Sequence, residues 1–256
     1  MKIIVSVKQV AARDSVLRVN GDGKWLDESD LTYEMNEPDA YALEEGLQLK
    51  EKQGGEVVVL CLGPQRATST IREALAKGAD RAIHVEVGDD QQLDAWTTAQ
   101  LLAKAVKPES ADMILTGLQS DDLGYGQTGV ILAELLGFAH ATIVMEVEPQ
   151  GGSVRVKREL EDGWFQHVTL PLPVVLTIQS GIKKLRYATL MGIKKAKSKE
   201  VKIIPAAELG VNATPPMQTE RIYIPERSKQ TQIFTGDARQ VAQQLAEKLK
   251  FEARVI

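Results

Sequence analysis

Cysteine is almost absent from this sequence, which has only Cys61 among its 256 residues. A single cysteine cannot form an internal disulfide bond, and this fits a reducing compartment, so we expect a cytoplasmic protein. Cys61 lies inside an apolar run that predicts a β-strand. We therefore expect an inert thiol in the core rather than a reactive one.

Histidine is also scarce, and the three that occur, His84, His140 and His167, have no spacing suited to a metal ion. With only one cysteine as well, a zinc or iron site is not expected. The sequence contains no Gly-x-Ser-x-Gly motif, and no local context of Ser and His selects a catalytic triad. We thus predict no catalytic residue, no metal site and no enzymatic activity of this chain.

Long hydrophobic runs are missing. The longest, 57–62 and 171–178, are far shorter than the roughly 20 residues that a membrane-spanning helix needs. Met1 leads directly into a strand pattern, which leaves no room for an export signal. A net charge of −4 and an aromatic content of 5% argue against a nucleic-acid-binding protein that relies on bulk charge. We expect neither membrane insertion nor nucleic-acid binding.

Apolar strand patterns alternate with helix patterns in the first part of the chain, which predicts a doubly wound, Rossmann-like α/β fold with a parallel sheet. The predicted strands are 2–7, 56–62, 82–87 and 112–116. The first predicted helix starts after Asn36-Glu37, and the others are 65–77, 91–106 and 130–136. The first helix has Pro38 in its first turn and is expected to direct Ala42, Leu43, Leu47 and Leu49 inward and Glu44, Glu45, Lys50 and Glu51 outward.

The pattern changes after Ala141 to strands without intervening helices. They are predicted at 142–147, 154–160, 164–170 and 174–179, as antiparallel additions to the sheet followed by one buried strand. We expect a nucleotide-binding α/β domain over 1–200. Residues 201–256 are expected to form an extended C-terminal arm that ends in an amphipathic helix, 237–250.

A glycine-rich segment, 117–129, joins the fourth predicted strand to the helix that follows. Glycines at such a junction let the backbone approach a ligand, and free N–H groups at a helix N-terminus hold anions such as a phosphate. The segment lacks a Gly-Lys-Ser/Thr ending, and it carries Asp121 and Asp122 where phosphoryl transfer would need a cation. We interpret it as a loop that holds a nucleotide without reacting on it; the alternative is a set of ordinary tight turns.

Strand order predicts where such a ligand lies. In a Rossmann-like sheet the ligand binds at the carboxyl ends of the first, second and fourth strands, where the order reverses. The loops expected there are 6–9, 62–64 and the glycine-rich segment.

A basic segment, 181–199, holds seven Lys and Arg residues and no acidic residue. Tyr187, Leu190 and Met191 within it would form an apolar anchor inside a charged rim, which suits transient protein docking. A solvated basic helix end remains an alternative, and nucleic-acid binding is a weaker one.

Taken together, these segments resemble the β subunit of electron transfer flavoproteins over nearly the whole chain, and bacterial AMP-binding members most closely. The resemblance rests on an ordered set of motifs: Val7-Lys8-Gln9-Val10, Asn36-Glu37-Pro38-Asp39-Ala40, Cys61-Leu62-Gly63-Pro64, Ala76-Lys77-Gly78-Ala79-Asp80, Gln127-Thr128-Gly129, Arg158-Glu159-Leu160-Glu161-Asp162-Gly163 and Arg186-Tyr187-Ala188-Thr189-Leu190.

The resemblance implies a heterodimer with an α subunit that holds the redox-active FAD, while this chain binds a structural AMP. The implied nucleotide contacts are Ser6, Asn36, Glu37, Pro38, Asp39, Leu62, Gly117, Gln119, Ser120, Asp121, Asp122, Leu123, Gly124, Tyr125, Gly126, Gln127 and Thr128. The resemblance also implies that Arg13 lies near the flavin, and that the arm and its helix pack on the α subunit.

The resemblance further implies that flavin dehydrogenases dock at the loop Arg186–Ala196, with Leu190 as the inserted anchor. The implied recognition residues are Arg186, Tyr187, Leu190, Met191, Ile193, Lys194 and Lys195. Leu185 departs from the proline that is usual in the family before the Arg-Tyr pair.

Two alternatives stay open at this point. A bifurcating β subunit would hold a second FAD in place of AMP and would oxidise NADH. An adenine-nucleotide hydrolase of similar layout would need a phosphate-loop lysine or a Ser-Gly-Gly loop, and neither is present.

Overall fold

The computed structural model describes residues 1–89, 92–212, 215–225 and 231–255. The start of the third predicted helix, at residue 91, lies outside the described residues. Within them the chain divides into two compact units, Met1–Glu220 and Arg221–Ile256.

The first unit alternates strands and helices, as the sequence predicts. Its strands are β1 (Lys2–Val7), β2 (Gln9–Ala11), β3 (Tyr33–Met35), β4 (Glu56–Gly63), β5 (Arg81–Glu86), β6 (Met113–Gly117), β7 (Ala139–Gln150), β8 (Ser153–Glu159), β9 (Phe165–Pro171), β10 (Val174–Ile178) and β11 (Val201–Pro205). Its helices are α1 (Glu37–Gln53), α2 (Thr68–Lys77), α3 (Ala95–Val106), α4 (Thr128–Leu136) and α5 (Leu190–Ala196).

The main sheet has the strand order β11-β5-β4-β1-β6-β10-β7-β8-β9. All neighbours from β11 to β7 are parallel, whereas β7, β8 and β9 form an antiparallel meander at one edge. The doubly wound fold and its antiparallel additions are therefore confirmed.

The central strands bury both of their faces. Ile3 and Val5 of β1 pack in one apolar cluster with α1 and α2, and Ile4 packs in a second cluster with α3 and α4. Strands covered on both faces have continuously apolar sequences, and this is the pattern that made them recognisable. Cys61 on β4 is fully buried, and burial raises the pKa of its thiol to about 12, as expected for an inert core cysteine.

The expected outer face of α1 is wrong in part. Glu44 and Glu45 are 4% and 1% exposed, because basic side chains from the segment before α5 cover them. A charged residue on a helix predicts solvent contact only when no distant segment packs over it.

The chain after residue 200 differs in organisation from a single arm. Val201–Pro205 pairs in parallel with β5 as the edge strand of the main sheet, and the two compact units divide at 220/221 rather than at 200/201. The second unit contains α6 (Ala238–Lys248), which begins with a capping box formed by Asp237 and Gln240 and continues as one π-helical turn, Leu249–Ala253.

Candidate functional site

The carboxyl ends of β1, β4 and β6 form the edge of the sheet where the order of strands reverses, because β1 lies between the other two. The loops that follow β1 and β6 contact the N-terminus of α1 there. This is the location that strand order predicts for a ligand.

Asp39, in the first turn of α1, ties two of these strand ends together. Its carboxylate accepts the backbone N–H of Lys8 after β1 and that of Gly117 at the end of β6, both at 2.8 Å. The side chain is buried, and burial raises the pKa of the Asp39 carboxyl to about 7, although the two N–H groups oppose that rise. Asp39 therefore holds the frame of the site, and its oxygens are occupied by protein donors.

Asn36 fastens the glycine-rich loop to the same helix. Its amide nitrogen donates to the carbonyl of Gln119 at 3.0 Å, and its amide oxygen accepts the backbone N–H of Asp121 at 2.9 Å. The Asn36 backbone N–H donates to the carbonyl of Lys8. One buried asparagine thus joins the loops after β1 and β6.

The two loop carboxylates are paired with cations from the chain after β1. Lys8 Nζ lies 2.6 Å from Asp122 Oδ1, and Arg13 contacts both Glu37 and, at 3.4 Å, Asp121. Burial would raise the pKa of Asp122, but the Lys8 ammonium lowers it below its ordinary value. Because each acid has a basic partner, the loop does not present uncompensated negative charge to an anion.

Two glycines of the loop stand where no larger residue fits. A Cβ on Gly117 would lie 2.5 Å from Asp39 Oδ1 and 2.7 Å from Pro38 Cβ. A Cβ on Gly129 would lie 2.6 Å from Thr177 Cγ2 and 2.8 Å from Thr116 Oγ1, so the glycine lets α4 approach the sheet edge closely. Gly124 and Gly126 have φ of +64° and +63°, a region that favours glycine.

α4 begins at this edge, because Gly129 in its first turn lies against Thr116 on β6 and Thr177 on β10. Gln127 is the N-cap, and among the described residues its side chain makes no capping hydrogen bond. The first-turn N–H groups are therefore left for another acceptor, and the helix dipole favours an anion. Gln127 is exposed and Thr128 partly buried.

The remaining predicted contacts lie around the same edge. Ser6 and Leu62 are partly buried at the ends of β1 and β4, and Pro38 is buried beside Gly117. The loop residues Leu123 and Ser120 are partly buried, and Tyr125 is 40% exposed. The structure thus brings the predicted nucleotide contacts to one edge of the sheet.

The predicted recognition residues lie apart from this edge, in and before α5, which packs on α2. Tyr187 and Leu190 are 91% and 88% exposed, and Met191 and Ile193 are also exposed. Lys194 and Lys195 are exposed in the last turn of α5. Thr189 caps the helix by accepting the N–H of Gly192.

Arg186 differs from the other recognition residues, because its guanidinium is bound within the chain. It contacts Glu44 at 2.8 and 3.0 Å and Glu51 at 2.6 and 3.1 Å. Burial opposes ionisation of Glu44, but the hydrogen bonds from Arg186 lower the pKa of its carboxyl below the ordinary value.

The sequence analysis does not predict two partners of the proposed site residues, Lys8 and Glu44. Lys8 was not selected as a site residue, although a basic residue directly after β1 and two acids in the loop are a detectable charge pattern. Glu44 was assigned to solvent, and nothing in the local helix pattern points to its partner 142 residues away.

Two features are absent from the part of the chain that the structure describes. Among the residues that the structure describes, no group of three or more His, Cys, Asp or Glu side chains is arranged to hold a metal ion. No described helix has both the length and the apolar character needed to cross a membrane.

The fold and the site define a doubly wound α/β protein with a glycine-rich loop at the point where its strand order reverses. Comparison with known sequences narrows this class. The sequence profile of the Electron transfer flavoprotein domain matches residues 24–209.

Three relatives cover most of the chain. It is similar to the electron transfer flavoprotein subunit beta of Methylophilus methylotrophus, with 39% identity over 91% of this chain and 92% of that protein. The corresponding subunit of Bradyrhizobium diazoefficiens is 36% identical over 100% of both chains, and that of Homo sapiens is 36% identical over 84% and 85%. This chain belongs to the electron transfer flavoprotein family, among its beta subunits.

Proposed function

We propose that this chain is the β subunit of a heterodimeric electron transfer flavoprotein that binds AMP as a structural nucleotide at the carboxyl edge of its sheet. The α subunit holds most of the FAD-binding surface. The heterodimer accepts electrons from flavin dehydrogenases, of the acyl-CoA or a similar type, and passes them to a downstream acceptor. This chain contributes no catalytic residue.

The observation that carries the proposal is the loop frame built by Asp39 and Asn36 beside the open N-terminus of α4. The frame holds the glycine-rich loop by its backbone at residues 117, 119 and 121, so the protein's own contacts order the loop. Such preorganisation reduces the ordering cost of binding.

A nucleotide monophosphate fits the donor set at this edge. The N–H groups at Gln127 and Thr128 would hold the phosphate at the start of α4. Lys8 and Arg13 balance Asp122 and Asp121, so the loop carboxylates do not oppose that anion. The loops after β1 and β4, with Ser6 and Leu62, would line the nucleoside. No residue in this set is a phosphate-loop lysine or a metal ligand for phosphoryl transfer, which supports a nucleotide that is held and not processed.

FAD, when bound, supplies the electron storage for the heterodimer. The side chain of Arg13 is 62% exposed although it forms ion pairs, so part of it is available to a cofactor on the α subunit. None of the residues of α6, all of which the structure describes, is buried. The apolar side chains of this helix are therefore available to a partner chain, which supports heterodimerisation through the second unit. Leu245 is 45% exposed, and we propose that this helix packs on the α subunit.

Docking of dehydrogenases is proposed at α5 and the residues before it. Tyr187, Leu190 and Met191 are exposed apolar side chains, and Lys194 and Lys195 surround them with positive charge. An apolar anchor with a charged rim suits a specific but short-lived complex.

The proposal is tested by the nucleotide content of the heterodimer. The chain is purified with its α subunit and denatured, and the released nucleotides are separated by chromatography. One FAD with one AMP per heterodimer is expected. Two FAD would establish the bifurcating arrangement instead, and release of neither would refute both.

The electron donor is identified in the same preparation. Acyl-CoA and amine dehydrogenases are each reduced by their substrates, and bleaching of the heterodimer flavin is followed. Reduction by one of them is expected, with a loss of rate in Leu190→Ala and none in Leu135→Ala, an exposed leucine on α4.

A further inference from the structure

We propose that Arg186 is a positioning residue, which holds the docking segment 187–196 against α1 through Glu44 and Glu51 and does not contact the dehydrogenase. This inference rests on the proposed function, since it concerns the same docking segment. In this arrangement the residues of the docking segment contact the partner, and Arg186 fixes the conformation of that segment.

The contacts of Arg186 leave little of its guanidinium for a partner. Nε and Nη2 pair with Glu44, and Nη1 and Nη2 pair with Glu51. The backbone N–H of Arg186 also donates to Glu44 Oε2 at 3.2 Å, so the main chain is held at the same point. Planar guanidinium groups form such paired contacts with fixed geometry, which a lysine does not reproduce.

The carboxylates that receive Arg186 belong to a rigid element. Glu44 lies inside α1 and is 4% exposed, and the adjacent Glu45 pairs with Lys183 at 3.5 Å. An unpaired carboxylate at such a position would be costly, so Glu44 also requires its arginine. Arg186, the residue directly before the docking segment, is therefore bound to α1.

The far end of the docking segment is fixed independently. Arg72 of α2 donates to the carbonyls of Ala196 and Lys199 at 2.7 and 2.9 Å. Lys199 in turn donates to the carbonyl of Leu75 in the last turn of α2 at 2.9 Å, and to that of Ala79 just after the helix. With both ends held, the exposed side chains of Tyr187 and Leu190 project from a defined backbone.

A defined backbone matters because an exposed apolar anchor must enter its partner in one geometry. If the segment samples many conformations, the apparent affinity for the dehydrogenase is reduced in proportion to the fraction of molecules whose segment is competent to dock. Loss of Arg186 is then expected to weaken docking without changing the electron-transfer step after docking.

The test measures amide hydrogen exchange in the intact heterodimer, which needs no dehydrogenase. Arg186→Gln and Glu51→Gln are each compared with the wild type, with the double variant, and with Lys184→Gln. Lys184 is exposed two residues earlier, and no ion pair involves it among the described residues. That control removes the same charge without removing the contact.

Arg186→Gln is expected to accelerate exchange at 187–193 by at least about tenfold, the scale of one hydrogen bond to a charged group. Glu51→Gln should accelerate it less, and the double variant should match Arg186→Gln, because both substitutions remove one contact. Lys184→Gln should change exchange by less than about twofold. If the Arg186→Gln chain fails to assemble into the heterodimer, the exchange rates of Glu51→Gln compared with those of Lys184→Gln still decide the outcome.

A second readout uses the dehydrogenase that reduces the wild-type heterodimer. Arg186→Gln should raise KM for the heterodimer by roughly tenfold with kcat nearly unchanged, and Arg186→Lys should give an intermediate KM. Unchanged exchange in Arg186→Gln and Glu51→Gln would overturn the inference. The inference would also be overturned if Arg186→Gln raised KM and the effects of Arg186→Gln and Glu51→Gln on KM added in the double variant. That result would place Arg186 in direct contact with the partner. If no dehydrogenase reduces the heterodimer, the proposed function fails while the exchange experiment still tests Arg186.

Discussion

The carboxylate of Asp39 accepts the backbone N–H of Gly117 at 2.8 Å, across 78 residues of sequence. This bond joins the first turn of α1 to the end of β6, where the glycine-rich loop begins. The bond and the missing side chain of Gly117 depend on each other, because a Cβ at position 117 would occupy the space of the Asp39 carboxylate.

Gly117→Ala is expected to destabilise the heterodimer by about 1–3 kcal/mol, the range found for overpacked sites. The new Cβ would lie 2.5 Å from Asp39 Oδ1 and must displace it. Denaturant unfolding measures the loss. Gly21→Ala is the matched control, since no heavy atom lies within 4 Å of a Cβ there. Equal stability of the two variants would contradict the packing described.

Asp39 predicts a pH dependence of stability. Burial raises the pKa of its carboxyl from 3.8 to about 7, so the folded protein binds this proton more tightly than the unfolded chain. The resulting contribution to stability is complete below pH 3.8 and is lost as the pH rises through about 7. Asp39→Asn removes this titration. The free energy of unfolding of the wild type minus that of Asp39→Asn should therefore decrease as the pH rises from about 4 to about 7 and should level off above that.

The control for that experiment is Asp14→Asn, the same substitution at an exposed position outside the frame of Asp39 and Asn36. A difference for Asp39→Asn that grows with pH would mean that the hydrogen bonds from Lys8 and Gly117 outweigh burial.

The pair of Lys8 and Asp122 predicts a rescue. Lys8→Gln should lower the AMP retained by the heterodimer, because Asp122 is then an uncompensated negative charge beside the phosphate site. Adding Asp122→Asn should restore much of the retained AMP, since it removes that charge. Released AMP is quantified by chromatography. Lys24→Gln, an exposed charge distant from the loop in sequence, should retain the wild-type amount.

Gly192 predicts the effect of displacing α5. An added Cβ would collide with the carbonyl oxygen of Ala76 on α2, so Gly192→Ala should lift α5 from α2. Trypsin is then expected to cleave after Lys194 and Lys195 faster than in the wild type, because local opening admits the protease. Gly181→Ser, at an exposed glycine with a φ of +90°, tests whether general strain near the segment has the same effect. Unchanged cleavage in Gly192→Ala would argue against the close packing of the two helices.

Much of the fold was predictable because its signals are local. The buried strands β1, β4, β5 and β6 have continuous apolar runs, and their predicted bounds differ from the observed ones by about a residue. The end of α2 at Gly78 and that of α4 at Gly137 follow from glycine in a positive-φ conformation. By contrast, the sequence pattern did not predict β11. Val201–Pro205 is a short edge strand with no buried residue, so it lacks the continuous apolar run of the central strands.

The fold class, the family and the position of the glycine-rich segment were predictable from the chain alone, because apolar periodicity, glycine positions and ordered motifs can be read along it. The partners of the charged residues were not predictable in this way and are known from the folded structure. Asp121 and Asp122 are balanced by Arg13 and Lys8, and Arg186 is bound to Glu44. The physical reason is that an ion pair depends on distance in space, and these partners are separated by 108, 114 and 142 residues.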